Sequence, residues 1–599
     1  MNLAGLAWKG VIFCGVMLLA LWVATQWVAS GYGYDERLGG RLFSLGRIGV
    51  FAPWRYIIWV QHGLLGATGA KGVWICLIGM VCATRTIALL DTSASPQKGK
   101  VHGSATWGDW KTLKRAKLFA KGGVVLGKTA DGQILQHDGP QHIAVIAPTR
   151  TGKSLGISIP TLLEWQGSAI VLDVKSELFN VTSGYRSTFS RVIYYNPTDA
   201  RTARFNPLLE IRAGVSEVRD AQNIADMVVD PHGQGLEGEN EFWKSKGRAF
   251  LVAAILHVFH TKPDKSLYGV TRLLADPTRR VADTLKEMLA MESTIPWGGS
   301  VIAQGARELE DMAEETQRDV IATALHKLDL FKEPLLRAAT SSSDFCIDEL
   351  MNACRPTTLY LAIPPSDIDR LRPILRLVLN QILRRLTEQS ASTQRLQKLL
   401  LLLDEFHLLG RMDFFDSALA FIAGYGIKSV ILTQSINQLQ KAYGKEHSLL
   451  ENVHLKVFFT PSTLETASLI SNTLGKTTIG YRSRSTNARL FSILPSTRSD
   501  NMNWISRELL TPDELLKLPF ECSLILANGE SPIMAHKLFY ANEKRYASKI
   551  LPACAFERGA ELEPFENPRV VSPRAAIESP AKVPAQSLLD QCLTTARVH

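Results

Sequence analysis

The sequence predicts an α/β protein, a parallel sheet interrupted by an inserted all-α domain and preceded by an N-terminal two-helix transmembrane region. Three observations predict it. Short apolar runs recur at 143–147, 169–174, 192–195, 359–363, 399–403, 429–433 and 457–460. They are β-branched or continuously apolar, as strands buried on both faces are, with helix-like patterns between several of them. Between about 209 and 350 apolar residues instead recur at three- and four-residue spacing, as in Val215, Val218, Ala221, Ala225 and Val228. Two further sets, Phe250, Leu251, Ile255, Val258 and Phe259, then Leu309, Met312, Val320, Ile321, Ala324 and Leu328, keep the helical period. The third observation is an apolar N-terminus.

Residues 11–29 are interrupted only by Thr25 and Gln26 and carry Trp22 and Trp27, with Trp8 just before them. About 20 such residues span a bilayer core. The run is too long for the apolar part of a signal peptide, and Ala29-Ser30-Gly31 is a poor cleavage site. A second span is expected at about 70–90. Its apolar run, 72–84, is short, so the helix absorbs Lys71 or runs past Arg85 to Leu90. Arg37, Arg41, Arg47 and Arg55 lie between the spans, so the positive-inside count leaves orientation open. Two spans put both termini on one side of the membrane.

The chain of 599 residues has room for several folding units, at roughly 150 residues each. Its formal net charge of +10 fits an acidic partner, nucleic acid or anionic lipid, and equally a membrane protein that is basic for topological reasons. The eight cysteines form no CxxC pair and no metal-spaced cluster; they read as free thiols in a reducing compartment. The expected domains are the membrane region 1–90, a first part of the nucleotide-binding domain at 91–208 and the helical insertion 209–350. The second part of the nucleotide-binding domain follows at 351–555, then a Pro/Ala/Ser-rich tail at 556–599.

The chemistry is carried by two motifs. Ala147-Pro-Thr149-Arg150-Thr151-Gly152-Lys153-Ser154 follows an expected strand and opens a helical stretch, the context a P-loop requires. Backbone N–H groups along 149–154 and the helix N-terminus would cradle phosphates. Lys153 would reach the β/γ-phosphates of ATP and Ser154 would hold Mg²⁺. The first Gly of the usual pattern is replaced by Ala147, still a small residue. Lys398-Leu-Leu-Leu-Leu-Leu-Asp404-Glu405 is a buried strand ending in two carboxylates. Asp404 is placed for the Mg²⁺ shell and Glu405 to orient or deprotonate the attacking water. The strand ending at Gln434 suits a γ-phosphate sensor, or a Gln that merely caps a turn. His407 reads as packing or a local hydrogen bond rather than a ligand. The separation of the two motifs, about 250 residues, is explained by the helical insertion.

Five further segments, with the two motifs, carry a family resemblance. They are Asp173-Val-Lys175-Ser-Glu177, Arg204-Phe-Asn206-Pro207-Leu208, Asp404-Glu405-Phe-His-Leu-Leu-Gly410, Ala423-Gly-Tyr-Gly-Ile-Lys428 and Gln434-Ser-Ile-Asn-Gln438-Leu. With Leu510-Thr-Pro-Asp-Glu-Leu-Leu-Lys-Leu-Pro519 they resemble, in order from about His102 to Tyr540, the type IV secretion coupling proteins of the TraG kind. The resemblance implies a RecA-like P-loop NTPase core working as a homo-hexamer at the bacterial inner membrane, multi-pass, with the bulk of the chain cytoplasmic. It implies ATP hydrolysis with Mg²⁺. The substrate would be DNA, single-stranded, with bound relaxase, or effector proteins, handed to channel components of a type IV secretion system. Lys153, Ser154, Asp404, Glu405 and Gln434 match the family's nucleotide-site positions. Another branch places a trans-acting Arg near the position of Ala423, where this chain has none; Arg411 or Lys428 are the substitutes. An FtsK-like DNA translocase, and a substrate-docking receptor whose ATP turnover serves assembly, are the rival readings.

Two basic segments are candidates for nucleic-acid contact. Lys244, Lys246 and Arg248 follow Phe242 and Trp243 at the start of an expected helix, where a solvated helix face explains them as well. Arg482, Arg484, Arg489 and Arg498 stud an expected loop at 481–498, either a surface insertion or a channel-lining loop.

Overall fold

A computed structural model describes residues 3–63, 66–91, 103–230, 241–388, 395–444, 448–486 and 498–555. It divides into two compact units, 1–101 and 102–599. The expected tail lies outside the described residues.

In the first unit a helix at Leu3–Gly31 is followed by the hairpin β1 (Phe43–Leu45) and β2 (Ile48–Val50), a short helix at Arg55–Gln61 and a long helix at Ala67–Asp91. The two polar residues of the first apolar run are satisfied by the connecting segment. Thr25 Oγ1 donates to the Pro53 carbonyl at 2.9 Å and Gln26 Nε2 to that of Phe51 at 2.8 Å. The long helices approach closely where Gly79 faces Ala20, since a Cβ on Gly79 would lie 2.3 Å from the Ala20 Cβ. Among the described residues only Gly10–Gly31 is long and apolar enough to cross a membrane. The second expected span sits on Ala67–Asp91, where Lys71 and Arg85 bracket the apolar stretch.

The second unit is built on one eleven-stranded sheet. Its strands are β3 (Val124–Lys128), β4 (Ile134–His137), β5 (Ile143–Ile146), β6 (Ser168–Asp173), β7 (Arg191–Tyr195), β8 (Thr357–Ala362), β9 (Leu399–Leu403), β10 (Ile427–Thr433) and β11 (Leu455–Phe458). Next comes a separate two-stranded ribbon, β12 (Lys476–Thr486) with β13 (Arg498–Glu508), and then the last sheet strands β14 (Cys522–Ala527) and β15 (Ile533–His536). The sheet order is β4-β3-β15-β14-β11-β5-β10-β9-β6-β8-β7. The seven strands from β11 to β7 run parallel, and β14, β15, β3 and β4 extend the edge antiparallel. Every residue of β5, β6, β8, β9 and β10 is buried, because helices cover both faces.

All seven apolar runs read from the sequence are strands of this sheet. Between β7 and β8 the described residues hold helices and no strand, from Glu217–Val229 through Glu349–Asn352. Their apolar stripes share one core with one face of the sheet, where Ile170, Leu172 and Leu401 meet Ile224, Leu251 and Ile255.

Three sequence expectations need correction. Residues 481–498 are not simply a loop. They begin on β12 and end on β13, paired in register from Lys476↔Glu508 to Thr486↔Arg498, with 487–497 outside the described residues. Alternating Thr, Ile and Tyr along 477–481 supply the strand preference that the Ser- and Arg-rich composition masked. Cys354 is disulfide-bonded rather than a free thiol, which the absence of a CxxC pair does not exclude. Lys428 is excluded as a trans-acting cation. It is buried, and its Nζ donates to the carbonyls of His137 and Gly139 at 2.7 and 2.9 Å, so it cannot reach another subunit. Arg411 is exposed, paired with Asp413 at 2.6 Å.

Candidate nucleotide site

The strand order places the site. β10 lies between β5 and β9, so the segments leaving all three strands converge at the carboxyl edge of the sheet, where open α/β sheets bind ligands. The P-loop leaves β5, Asp404 and Glu405 leave β9, and Gln434 leaves β10.

The loop is shaped by two left-handed residues, Arg150 at φ +60° and Gly152 at φ +86°. Gly152 is required twice over: its backbone disfavours a side chain, and a Cβ would lie 2.6 Å from Cε1 of Phe539. Thr151 Oγ1 donates back to the Pro148 carbonyl at 2.6 Å, closing the turn. The following helix opens with a π-helical turn, Ser154–Ser158, and continues as an α-helix at Ile159–Glu164. Pro160, which has no N–H to give to the helix, is the second residue of the α-helical stretch and follows the π turn directly.

The opposing carboxylates are aimed by a second strained position. Glu405 has φ +55°, uncommon for a residue with a side chain and characteristic of functional sites. Its turn directs one carboxylate oxygen to Lys153 Nζ and the other to Gln434 Nε2, which donates at 3.0 Å. Asp404 Oδ1 lies 3.1 Å from Lys153 Nζ, and Ser154 Oγ donates to Asp404 Oδ2 at 3.0 Å. Asp404 Oδ1 is buried without a formal hydrogen bond. A hydroxyl and a carboxylate side by side, one carboxylate oxygen held only by its ion pair with Lys153, form an all-oxygen donor set of the kind Mg²⁺ takes. His407 Nδ1 lies 3.6 Å from Glu405 Oε2, and burial holds its ring below the usual histidine range.

Asp173, at the end of β6, is a further acid beside this group. Burial pushes its carboxyl up to about 6, and the charge of Asp404 adds to the effect although Phe179 N–H donates to it at 2.8 Å. A cavity of about 230 Å³ joins Asp173, Asp404, Glu405, His407 and Gln434. A larger one of about 850 Å³ runs from Thr149, Arg150, Lys153 and Ser154 to Phe520, Phe539 and Tyr540. Lys175 and Glu177 line both.

The structure thus gathers Thr149, Arg150, Thr151, Gly152, Lys153, Ser154, Asp404, Glu405 and Gln434 into one place, although 250 residues separate Ser154 from Asp404. Sequence reasoning missed Lys175 and Glu177 as site residues, though their segment carried part of the resemblance. It also missed Phe520, Phe539 and Tyr540, whose only signal was that the segment ending at Pro519 stops one residue short of Phe520. The basic residues at 244–248 lie apart from this site. Lys246 pairs with Glu308 at 2.9 Å and Arg248 with Asp226, both within the helical region. Arg482 and Arg484 lie on β12.

Comparison with known proteins identifies the family and the fold. The family model "Type IV secretory system Conjugative DNA transfer" matches residues 98–558. Conjugal transfer protein TraG of Escherichia coli is 33% identical over 552 residues, 85% of this chain and 86% of TraG. Protein VirD4 of Rhizobium rhizogenes is 29% identical over 501 residues, 79% of this chain and 71% of VirD4. Among solved structures, the bacterial conjugative coupling protein TrwBdeltaN70 in complex with sulphate superposes with a TM-score of 0.55 at 19% identity. That match covers 75% of this chain and 96% of TrwBdeltaN70, and it shows a shared RecA-like fold. With its P-loop, its paired carboxylates and a family match spanning most of its length, the chain belongs to the type IV secretory system conjugative DNA transfer family and is a type IV coupling protein.

Proposed function

We propose that this protein is a membrane-anchored ATPase that recruits DNA with its bound relaxase, or protein effectors, to a type IV secretion channel and energises their translocation. The observation that carries the reading is the meeting of Lys153, Ser154, Asp404, Glu405 and Gln434 at one sheet edge. Related TrwB has been solved with ADP and Mg²⁺ and with a non-hydrolysable ATP analogue, which supports the same ligands here.

The roles follow from chemistry and position. Lys153 exchanges its carboxylate partners for the β/γ-phosphates, and the N–H groups of the loop and of the helix it opens hold the remaining phosphate oxygens. Ser154 and Asp404 would hold Mg²⁺, which when bound supplies positive charge to the phosphates. Glu405 takes the proton of the attacking water, and Gln434, already bonded to Glu405, orients that carboxylate towards the γ-phosphate. Asp173 stays protonated more readily than an exposed acid, which limits like-charge repulsion around Asp404.

The helix containing Gly10–Gly31 anchors the chain in the inner membrane, and Ala67–Asp91 returns it, leaving the catalytic unit in the cytoplasm where ATP is. A homo-hexamer would let Arg411 serve a neighbouring site. For nucleic acid, the ribbon carrying Arg482 and Arg484 is favoured over Lys244, Lys246 and Arg248, because the latter segment already spends charge on Glu308 and Asp226.

The test is ATP hydrolysis by the full chain in detergent, with single-stranded DNA or a protein substrate added. Stimulation by DNA, abolished by Lys153→Ala, is the expected result. Wild-type turnover in Lys153→Ala removes the P-loop assignment; stimulation by protein alone favours the docking receptor.

A further inference from the structure

The catalytic carboxylates occupy one end of the nucleotide site. The other end is aromatic. Phe520, Phe539 and Tyr540 line the 850 Å³ cavity together with Leu155, Ile159 and Val181, and none of these six borders the smaller cavity around Glu405 and Gln434. The phosphates are fixed by Lys153 and Ser154, so the aromatic end is where the rest of a nucleotide must lie.

This wall is tied to the P-loop by two contacts. The edge of Phe539 abuts Gly152, and Lys537 Nζ donates to the Thr151 carbonyl at 3.0 Å. The Lys537 ammonium lies over the rings of Phe459 and Phe520, at 4.2 and 4.3 Å from their centroids. Phe520 and Phe539 are nearly parallel, at 7°, with centroids 5.8 Å apart. Phe520 is therefore held in one orientation by a cation over its ring and an offset, parallel Phe539, yet it remains 50% exposed. Leu155, on the first turn after the P-loop, is similarly exposed at 47% and borders the same cavity. A rigid, half-exposed aromatic ring beside a phosphate-binding loop is a stacking platform.

We propose that Phe520, supported by Phe539 and Lys537, is the base-stacking subsite of this nucleotide site. The inference rests on the nucleotide reading above and adds where the base binds and how it is chosen. Every base has a π-face, so stacking accepts ATP and GTP alike and favours purines over pyrimidines by their larger area.

The experiment measures binding of ATP and of inorganic tripolyphosphate, which has the phosphate chain without a base, to the full chain in detergent. Phe520→Ala should weaken ATP about tenfold, the scale of one lost stacking contact, and leave tripolyphosphate unchanged. Phe520→Trp should restore ATP binding. Unchanged ATP affinity in Phe520→Ala overturns the subsite, as does an equal loss for ATP and tripolyphosphate, which would mean that the ring only shapes the loop. A wild-type chain that binds neither ligand overturns the nucleotide reading itself, and the subsite with it.

Discussion

Replacing Glu405 by Gln should separate ATP binding from ATP hydrolysis, with opposite signs. In the structure Glu405 accepts from two donors, Lys153 Nζ on one oxygen and Gln434 Nε2 on the other, the latter at 3.0 Å. An amide has one accepting oxygen and one donating NH₂, so only one of those donors keeps its partner. Lys153 is not stranded by this, because Asp404 Oδ1 remains 3.1 Å away. The cost to the nucleotide-free protein is therefore about 1 kcal/mol, below the range for removing the sole partner of a buried charge. The same ~1 kcal/mol no longer competes with the phosphates for Lys153, so ATP should bind about fivefold more tightly. Loss of the general base should slow the chemical step about 10²–10⁴-fold. Equilibrium binding and single-turnover hydrolysis on the same preparation read both quantities. Turnover within threefold of wild type would remove Glu405 as the base, and weaker ATP binding would refute the competition for Lys153. Asp404→Asn is the control, since it should lower the Mg²⁺-dependent part of binding.

Asp173→Asn should stabilise the protein at pH 8 and change little at pH 3, below the unfolded value of the acid. The folded carboxyl, raised to about 6, holds its proton more tightly than the unfolded chain does, so stability falls as pH rises from about 4 through 6 and stays lower above. The neutral amide escapes that loss, of order 1–3 kcal/mol for a buried acid shifted by about two units. Thermal midpoints of the two proteins at both pH values measure it, and a variant less stable at pH 8 contradicts the assigned cause. Replacing Lys244, Lys246 and Arg248 together with Ala should leave the salt dependence of single-stranded DNA binding nearly unchanged, since Lys246 and Arg248 already face acids. A drop in the log–log slope of about 2, the value for three lost phosphate contacts, would restore that patch as a DNA surface.

Much of the fold is legible in the chain because its signals are local. A run such as Leu399–Leu403 is buried on both faces, so its composition alone marks a central parallel strand. The helical region is equally plain, because its stripes face a single core and keep the helical period. The membrane unit is less so. Thr25 and Gln26 look like interruptions of a span, yet they bond the connecting segment, a long-range contact that hydropathy cannot record. The ribbon β12–β13 was hidden for a different reason. It stands outside the main sheet, and at 476–481 and 503–508 no residue is buried, so the sequence carries no apolar alternation strong enough to outweigh Ser and Arg.

The site divides along the same line. That Lys153, Ser154, Asp404 and Glu405 meet is legible because motifs of the phosphate- and metal-binding kind set residue type at fixed offsets from a strand end. The aromatic wall has no such offset. Phe520 precedes β14 and Phe539 follows β15, two antiparallel strands that reach the P-loop only because β14 pairs with β11 and β11 pairs with β5. Lys537 meets the Thr151 carbonyl across 386 residues by that route. Stacking asks only for a flat ring in the right place, a demand that many sequences meet and no spacing records. The half proposed to perform chemistry is thus written in motifs, while the half proposed to hold the rest of the nucleotide is written in sheet order. A change in β11, β14 or β15 that moves Phe520 should therefore alter base affinity while every recognised motif stays intact.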